Sequence, residues 1–81
     1  MPLSHTAREM LWIEAWSDLL ERLAAAPLPL VDAQGERLDV DACKGAIQDQ
    51  AYRGKRAEFQ LIWHKGQRAL QVTFADAGAP S

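Results

Sequence analysis

Hydrophobic residues recur at spacings of three and four along the first third of the chain, which indicates a long amphipathic helix from Leu3 to Ala26. The acidic residues Glu14, Asp18 and Glu21 fall on the opposite side of this helix. We therefore expect one broad apolar face that packs against the rest of the domain. Its positions are Met10, Trp12, Ile13, Trp16, Leu19, Leu20, Leu23 and Ala24.

Both ends of this first helix carry recognisable signals. Thr6 and Glu9 match a capping box, in which each side chain satisfies a free backbone N–H of the first turn. Ser4 is an alternative N-cap. Pro27 and Pro29 cannot continue a helix, so we expect it to end near Ala26.

Residues 28–40 have the pattern of a short hairpin. The first strand begins with Leu28, Leu30 and Val31, and residues 32–35 form a turn. The second strand of the hairpin contains Arg37-Leu38. Gly35 suits the left-handed position that closes such a turn.

A second helix is predicted from Asp39 to Ala51. Asp39 or Asp41 is its candidate N-cap, and Gly54 stands where a C-terminal capping glycine belongs. The residues that share its apolar stripe are Val40, Cys43, Ile47 and Ala51.

A period of two in hydrophobicity from Arg56 to Phe74, with Ile62 and Ala69 among the otherwise polar positions, predicts a second hairpin with Lys65-Gly66 as its two-residue loop. A loop of this length fixes the register, and a slip of one residue would move the apolar set to the other face. The predicted cross-strand pairs are Trp63 with Arg68, Leu61 with Leu70, Phe59 with Val72, and Ala57 with Phe74.

These elements predict a small two-layer α+β domain in the order α-β-β-α-β-β. We expect an antiparallel sheet of about four strands with both helices on one face, and a solvated second face that includes Glu58, Gln60, Gln71 and Thr73. Residues 1–81 are expected to form a single domain, ordered over about 4–74, with a flexible tail at 75–81. The predicted core comprises Trp16, Leu19, Leu23, Leu30, Leu38, Ile47, Phe59, Leu61, Leu70 and Val72.

The apolar arc of the first helix is wider than one sheet-facing stripe requires. A sheet this small would leave part of the arc at its rim, where aromatic and Met side chains are typical of interfaces. We therefore expect a protein interface, and self-association as a homodimer is one form of it. The predicted interface residues are Met10, Leu11, Trp12, Ala15 and Trp16.

Charge is unevenly distributed, although the net charge is only −2. Residues 1–42 contain three basic and eight acidic side chains, whereas residues 43–72 contain six basic and two acidic ones. Basic residues near aromatic ones can bind nucleic acid, and nucleic-acid binding is the alternative function. The uneven charge is also explained without any ligand, if the solvated faces of the domain simply differ in charge. The predicted basic binding surface comprises Arg53, Lys55, Arg56, His64, Lys65 and Arg68.

Little in the sequence indicates catalysis. Cys43 could be a nucleophile near a helix N-terminus, but its place in an apolar stripe favours a buried structural role. His5, His64 and Cys43 lack the paired spacing of a zinc site. We expect no catalytic residue, cofactor or metal.

A single cysteine and the lack of a membrane-spanning or signal-like segment predict a cytoplasmic protein without membrane contact. Richness in Ala, with Arg preferred over Lys, is typical of GC-rich bacterial genomes. The predicted function is a small non-enzymatic protein–protein interaction or adaptor module of a bacterium or phage.

Overall fold

The computed structural model describes residues 4–77 and contains two helices and four strands. In chain order these are α1 (His5–Ala25), β1 (Leu30–Val31), β2 (Arg37–Leu38), α2 (Val40–Tyr52), β3 (Lys55–His64) and β4 (Gln67–Asp76). The α+β class and the order α-β-β-α-β-β are confirmed. Residues 4–77 include no helix that combines the length and hydropathy of a bilayer span.

The N-terminal cap of α1 is Ser4, whose hydroxyl accepts a hydrogen bond from the N–H of Ala7 at 3.1 Å. The capping box on Thr6 is therefore not used, because Thr6 already lies inside the helix. Leu3, the predicted first residue, lies outside the described residues. At the other end α1 stops at Ala25, just before Pro27, as the two prolines predict.

The cap of α2 is Asp39, whose carboxylate accepts from the N–H of Ala42 at 2.6 Å, while Asp41 lies in the first turn. After the helix, Gly54 adopts φ +81°, the left-handed conformation predicted for it. One stripe residue differs from expectation: the side chain of Val40 is 41% exposed, because it sits in the first turn at the rim of the core.

The sheet has the strand order β2-β1-β4-β3 and is mixed, not purely antiparallel as predicted. Strand β1 is antiparallel to β2 but parallel to β4. The reason lies in α1, which passes first Ala57 and then Phe59 and so runs in the direction of β3. The chain reverses at Pro27–Pro29, and β1 therefore runs against β3 and alongside β4.

All four predicted pairs of the long hairpin are confirmed, in a ladder that continues without interruption from Lys55 opposite Asp76 to His64 opposite Gln67. Strand β4 thus continues through Asp76, beyond the predicted end of the ordered region at residue 74. Within the predicted tail, residues 78–81 lie outside the described residues.

The main core lies between the helices and one face of the sheet. Of the predicted members, Leu61 does not belong to it, because its side chain is 55% exposed. Four others, Trp16, Leu23, Leu38 and Phe59, are partly buried against the core. Its buried residues are Ala15, Leu19, Leu30, Cys43, Ile47, Leu70 and Val72.

The second face of the sheet is only partly solvated. Val31 and Ala69, which the pairing register places on this face, are both fully buried. The turn between β1 and β2 reaches toward the end of β3, where the ring of His64 lies against Gly35. Of the four polar residues expected in water there, Glu58 and Gln60 are exposed, whereas Gln71 and Thr73 are half-buried.

Candidate interaction surface

The hairpin of β3 and β4 extends beyond the helix that covers it. The guanidinium of Arg22, in the last turn of α1, lies 5.8 Å from the centre of the Phe59 ring. Strand β3 continues for five residues past Phe59, about 16 Å at roughly 3.3 Å per residue. The offset between helix and hairpin gives the molecule its elongated dimensions of 42 × 23 × 20 Å.

Two large apolar side chains lie on this overhang and point to the helix-facing side of the sheet. Trp63 is 72% exposed and Leu61 is 55% exposed, the two highest values among the large hydrophobic residues described. Arg68, the cross-strand partner of Trp63, places its guanidinium 5.9 Å from the centre of the indole. This cation–π pair covers only part of the ring. We refer to Leu61, Trp63 and Arg68 as the uncovered hairpin surface.

A shallow cleft of about 500 Å³ opens beside this end of the hairpin. Leu23, Leu28 and Val40 provide apolar walls, and Gln67, the residue before Arg68, forms part of the rim. Apolar surface therefore continues from the end of α1 toward the first turn of α2.

Comparison of the chain with protein-family models, with curated proteins and with solved structures found no match.

The predicted interface on α1 is largely turned inward. Ala15 is 7% exposed and belongs to the core, while Trp12 and Trp16 are partly buried against it. The indole N–H of Trp12 is enclosed and has no acceptor among residues 4–77. Leu11 is also half-buried, so Met10, at 46%, is the member whose side chain is most available to a partner.

The predicted basic surface divides into two groups at opposite ends of the long hairpin. Arg53, Lys55 and Arg56 lie at one end, and His64, Lys65 and Arg68 lie at the other. The nine steps from residue 55 to residue 64 separate the groups by about 30 Å at roughly 3.3 Å per residue.

Besides Arg68, which lies over Trp63, two members of these groups contact other residues of the described chain. The guanidinium of Arg53 lies 3.3 Å from the carboxylate of Asp49. The ring of His64 is half-buried beside Gly35. The basic residues therefore do not form one continuous cationic stripe.

Cys43 is fully buried, and burial raises the pKa of its thiol to about 11. The thiolate is the nucleophilic form, so a thiol with this pKa is a poor nucleophile at neutral pH. No three potential metal ligands of the His, Cys, Asp or Glu type come together within residues 4–77.

Sequence reasoning missed the uncovered hairpin surface because Leu61 and Trp63 continue the same alternating stripe as Ala57 and Phe59. One available signal was the register itself. It places Trp63 opposite the charged Arg68, whereas Leu61 and Phe59 face apolar partners, and a charged partner is typical of a solvated site.

Proposed function

We propose that this protein is a non-enzymatic protein–protein interaction module and that the uncovered hairpin surface is its contact site. The observation that carries the proposal is the 72% exposure of Trp63 beside the 55% exposure of Leu61 on one face of one strand. Exposing two adjacent large apolar side chains in water is unfavourable unless a partner covers them.

The residue types at this surface support protein binding. Trp and Arg are enriched among the residues that contribute most to protein interfaces. Arg68 supplies a donor beside the ring of Trp63, and the rigid hairpin fixes the position of both. Met10 on α1 remains a second, smaller candidate contact, as the apolar arc of that helix predicts.

The non-enzymatic character is supported by the buried thiol of Cys43 with its raised pKa. We further propose a cytoplasmic protein of bacterial or phage origin. A single cysteine suits a reducing compartment, and the Ala-rich, Arg-rich composition suits a GC-rich bacterial genome.

The test is affinity capture from extract of the source cells, with the wild-type protein and two single variants as bait. Trp63→Ala removes the most exposed large apolar side chain among residues 4–77, and Met10→Ala removes the most exposed member of the predicted α1 interface. We expect Trp63→Ala to lose a protein that wild type and Met10→Ala both retain. Equal capture by all three baits would refute the assignment to the hairpin.

Nucleic-acid binding is the second candidate, and one arrangement favours it. Trp63 offers an open ring face for base stacking, and Lys65 and Arg68 are exposed nearby. Binding of this kind weakens steeply as salt rises, whereas contact through apolar side chains does not. Retention of single-stranded DNA at low salt, lost at high salt and in Trp63→Ala, would replace the protein-binding proposal.

A further inference from the structure

Strand β3 forms one edge of the sheet, and the same strand carries the uncovered hairpin surface. Its outer side has no strand neighbour among residues 4–77. The edge is ten residues long, contains no proline, and pairs with β4 without a bulge. Such an edge is a template for another strand unless something blocks it. Its second half, from Phe59 to His64, contains no Asp, Glu, Lys or Arg.

The hairpin turn determines which backbone groups face outward. Lys65 and Gly66 have φ of 52° and 82°, the positive pair of a type I′ turn, which joins His64 to Gln67. Hydrogen-bonded and non-hydrogen-bonded pairs then alternate along the ladder. The N–H and C=O groups of Phe59, Leu61 and Trp63 therefore point away from β4, toward the open edge.

We infer that β3 pairs antiparallel with β3 of a second copy of the chain, so that one continuous sheet runs through both copies. This inference rests on the proposed function and names the partner of the same surface. A two-fold axis at Leu61 places the two Leu61 side chains opposite each other. It also places Phe59 opposite Trp63 of the second copy, and Glu58 opposite His64 of the second copy. The apolar and aromatic side chains on the helix-facing side thus meet suitable partners, while Gln60 lies opposite Ile62 of the second copy on the other side.

Neighbouring registers are less favourable. An axis at Gln60 would set Arg56 opposite His64 of the second copy and would bring Lys55 close to Lys65 in the hairpin turn, and like charges placed together destabilise strand pairing. An axis at Ile62 would set Phe59 opposite Lys65 and lose the aromatic pair. The axis at Leu61 therefore avoids the like-charge pair and keeps the aromatic pair.

The first experiment measures mass by sedimentation equilibrium from about 1 to about 100 µM, the range of moderate association. We expect the wild type to dimerise across this range. Leu61→Lys places two ammonium groups together at the axis and should make the protein monomeric. Leu20→Lys, the same change at a 45% exposed leucine on α1, is the matched control and should still dimerise.

A disulfide test reads the register directly, because hydrogen-bonded partners have Cα atoms about 5.5 Å apart, within disulfide range. Leu61→Cys should cross-link two copies under mild oxidation. Trp63→Cys is a stringent control, because this site is more exposed than Leu61. In the proposed register it lies opposite Phe59 of the second copy, so the two introduced thiols are too far apart to form a disulfide. Buried Cys43 stays in both variants and does not take part. Faster cross-linking of Trp63→Cys would overturn the register.

The outcomes separate this inference from the proposed function. A wild-type monomer at every concentration, or a dimer that survives Leu61→Lys, would overturn edge pairing. If that monomer still captures a protein through Trp63, the interaction function stands without self-pairing. If edge pairing is overturned in this way and Trp63→Ala also captures the same proteins as the wild type, both proposals fail.

Discussion

Leu61 and Leu70 are the same residue type, face each other across β3 and β4, and point to the same side of the sheet, yet only one is buried. Leu70 is 3% exposed and Leu61 is 55% exposed. Leu70 lies on the inner strand β4, which has β1 on its other side and the core above it. Leu61 lies on the edge strand, beyond the end of α1.

This pair shows that alternation identifies the face of a strand but does not determine how much of that face is covered. Phe59, two residues before Leu61, is packed against the core because α1 reaches it. The helix then stops, and the hairpin continues into solvent. The covered half of the hairpin stabilises the fold, and the uncovered half remains available for binding.

The largest expected effect comes from truncating the two leucines. Leu70→Ala should lower the free energy of unfolding by about 2–5 kcal/mol, because it removes buried methyl groups and leaves a cavity. Leu61→Ala should cost less than about 1 kcal/mol in the monomer, since surface substitutions have small effects. Urea denaturation at low protein concentration measures both. Similar losses would show that the tip of the hairpin is covered in solution.

A second change in the free energy of unfolding, about 2–3 kcal/mol, is expected from the thiol of Cys43, which lies on α2 in the core. The pKa of Cys43 is raised from 9.0 to about 11 by burial. The unfolded chain therefore loses this proton first, so stability is intact below pH 9 and falls as pH rises toward 11. Denaturation of wild type and Cys43→Ala across this range measures the effect. The stability difference between them should change with pH; a constant difference would place the thiol in contact with solvent.

The smallest expected changes in the free energy of unfolding, about 1 kcal/mol each, come from two glycines at which backbone conformation matters more than packing. Gly66→Ala should destabilise the uncovered end, because φ +82° is unfavourable for a residue with a Cβ. Gly45→Ala should stabilise α2, because an added Cβ meets no atom within 4 Å and alanine favours helix. Thermal melts of both variants measure these shifts. A neutral Gly66→Ala would mean that another conformation of the turn is available at no cost.

Much of the fold could be predicted from local signals. Asp39 and Gly54 mark the boundaries of α2, the prolines end α1, and Lys65-Gly66 fixes the register of the long hairpin. The candidate site could not be predicted in the same way. The apolar arc of α1 predicted an interface that includes Trp12 and Trp16, but both pack inward against the core. Leu61 was predicted to be a core residue, but it is exposed.

The sequence by itself determined the α+β class, the order of the elements, the end of α1 before the prolines and the pairing of β3 with β4. These depend on interactions between residues near in sequence, or joined by a two-residue loop, and such interactions leave a periodic pattern. Only the tertiary structure decided that β1 runs parallel to β4 and that Leu61 and Trp63 stay exposed. Both depend on where α1 lies and ends on the sheet, and no local pattern records the position of one element over another.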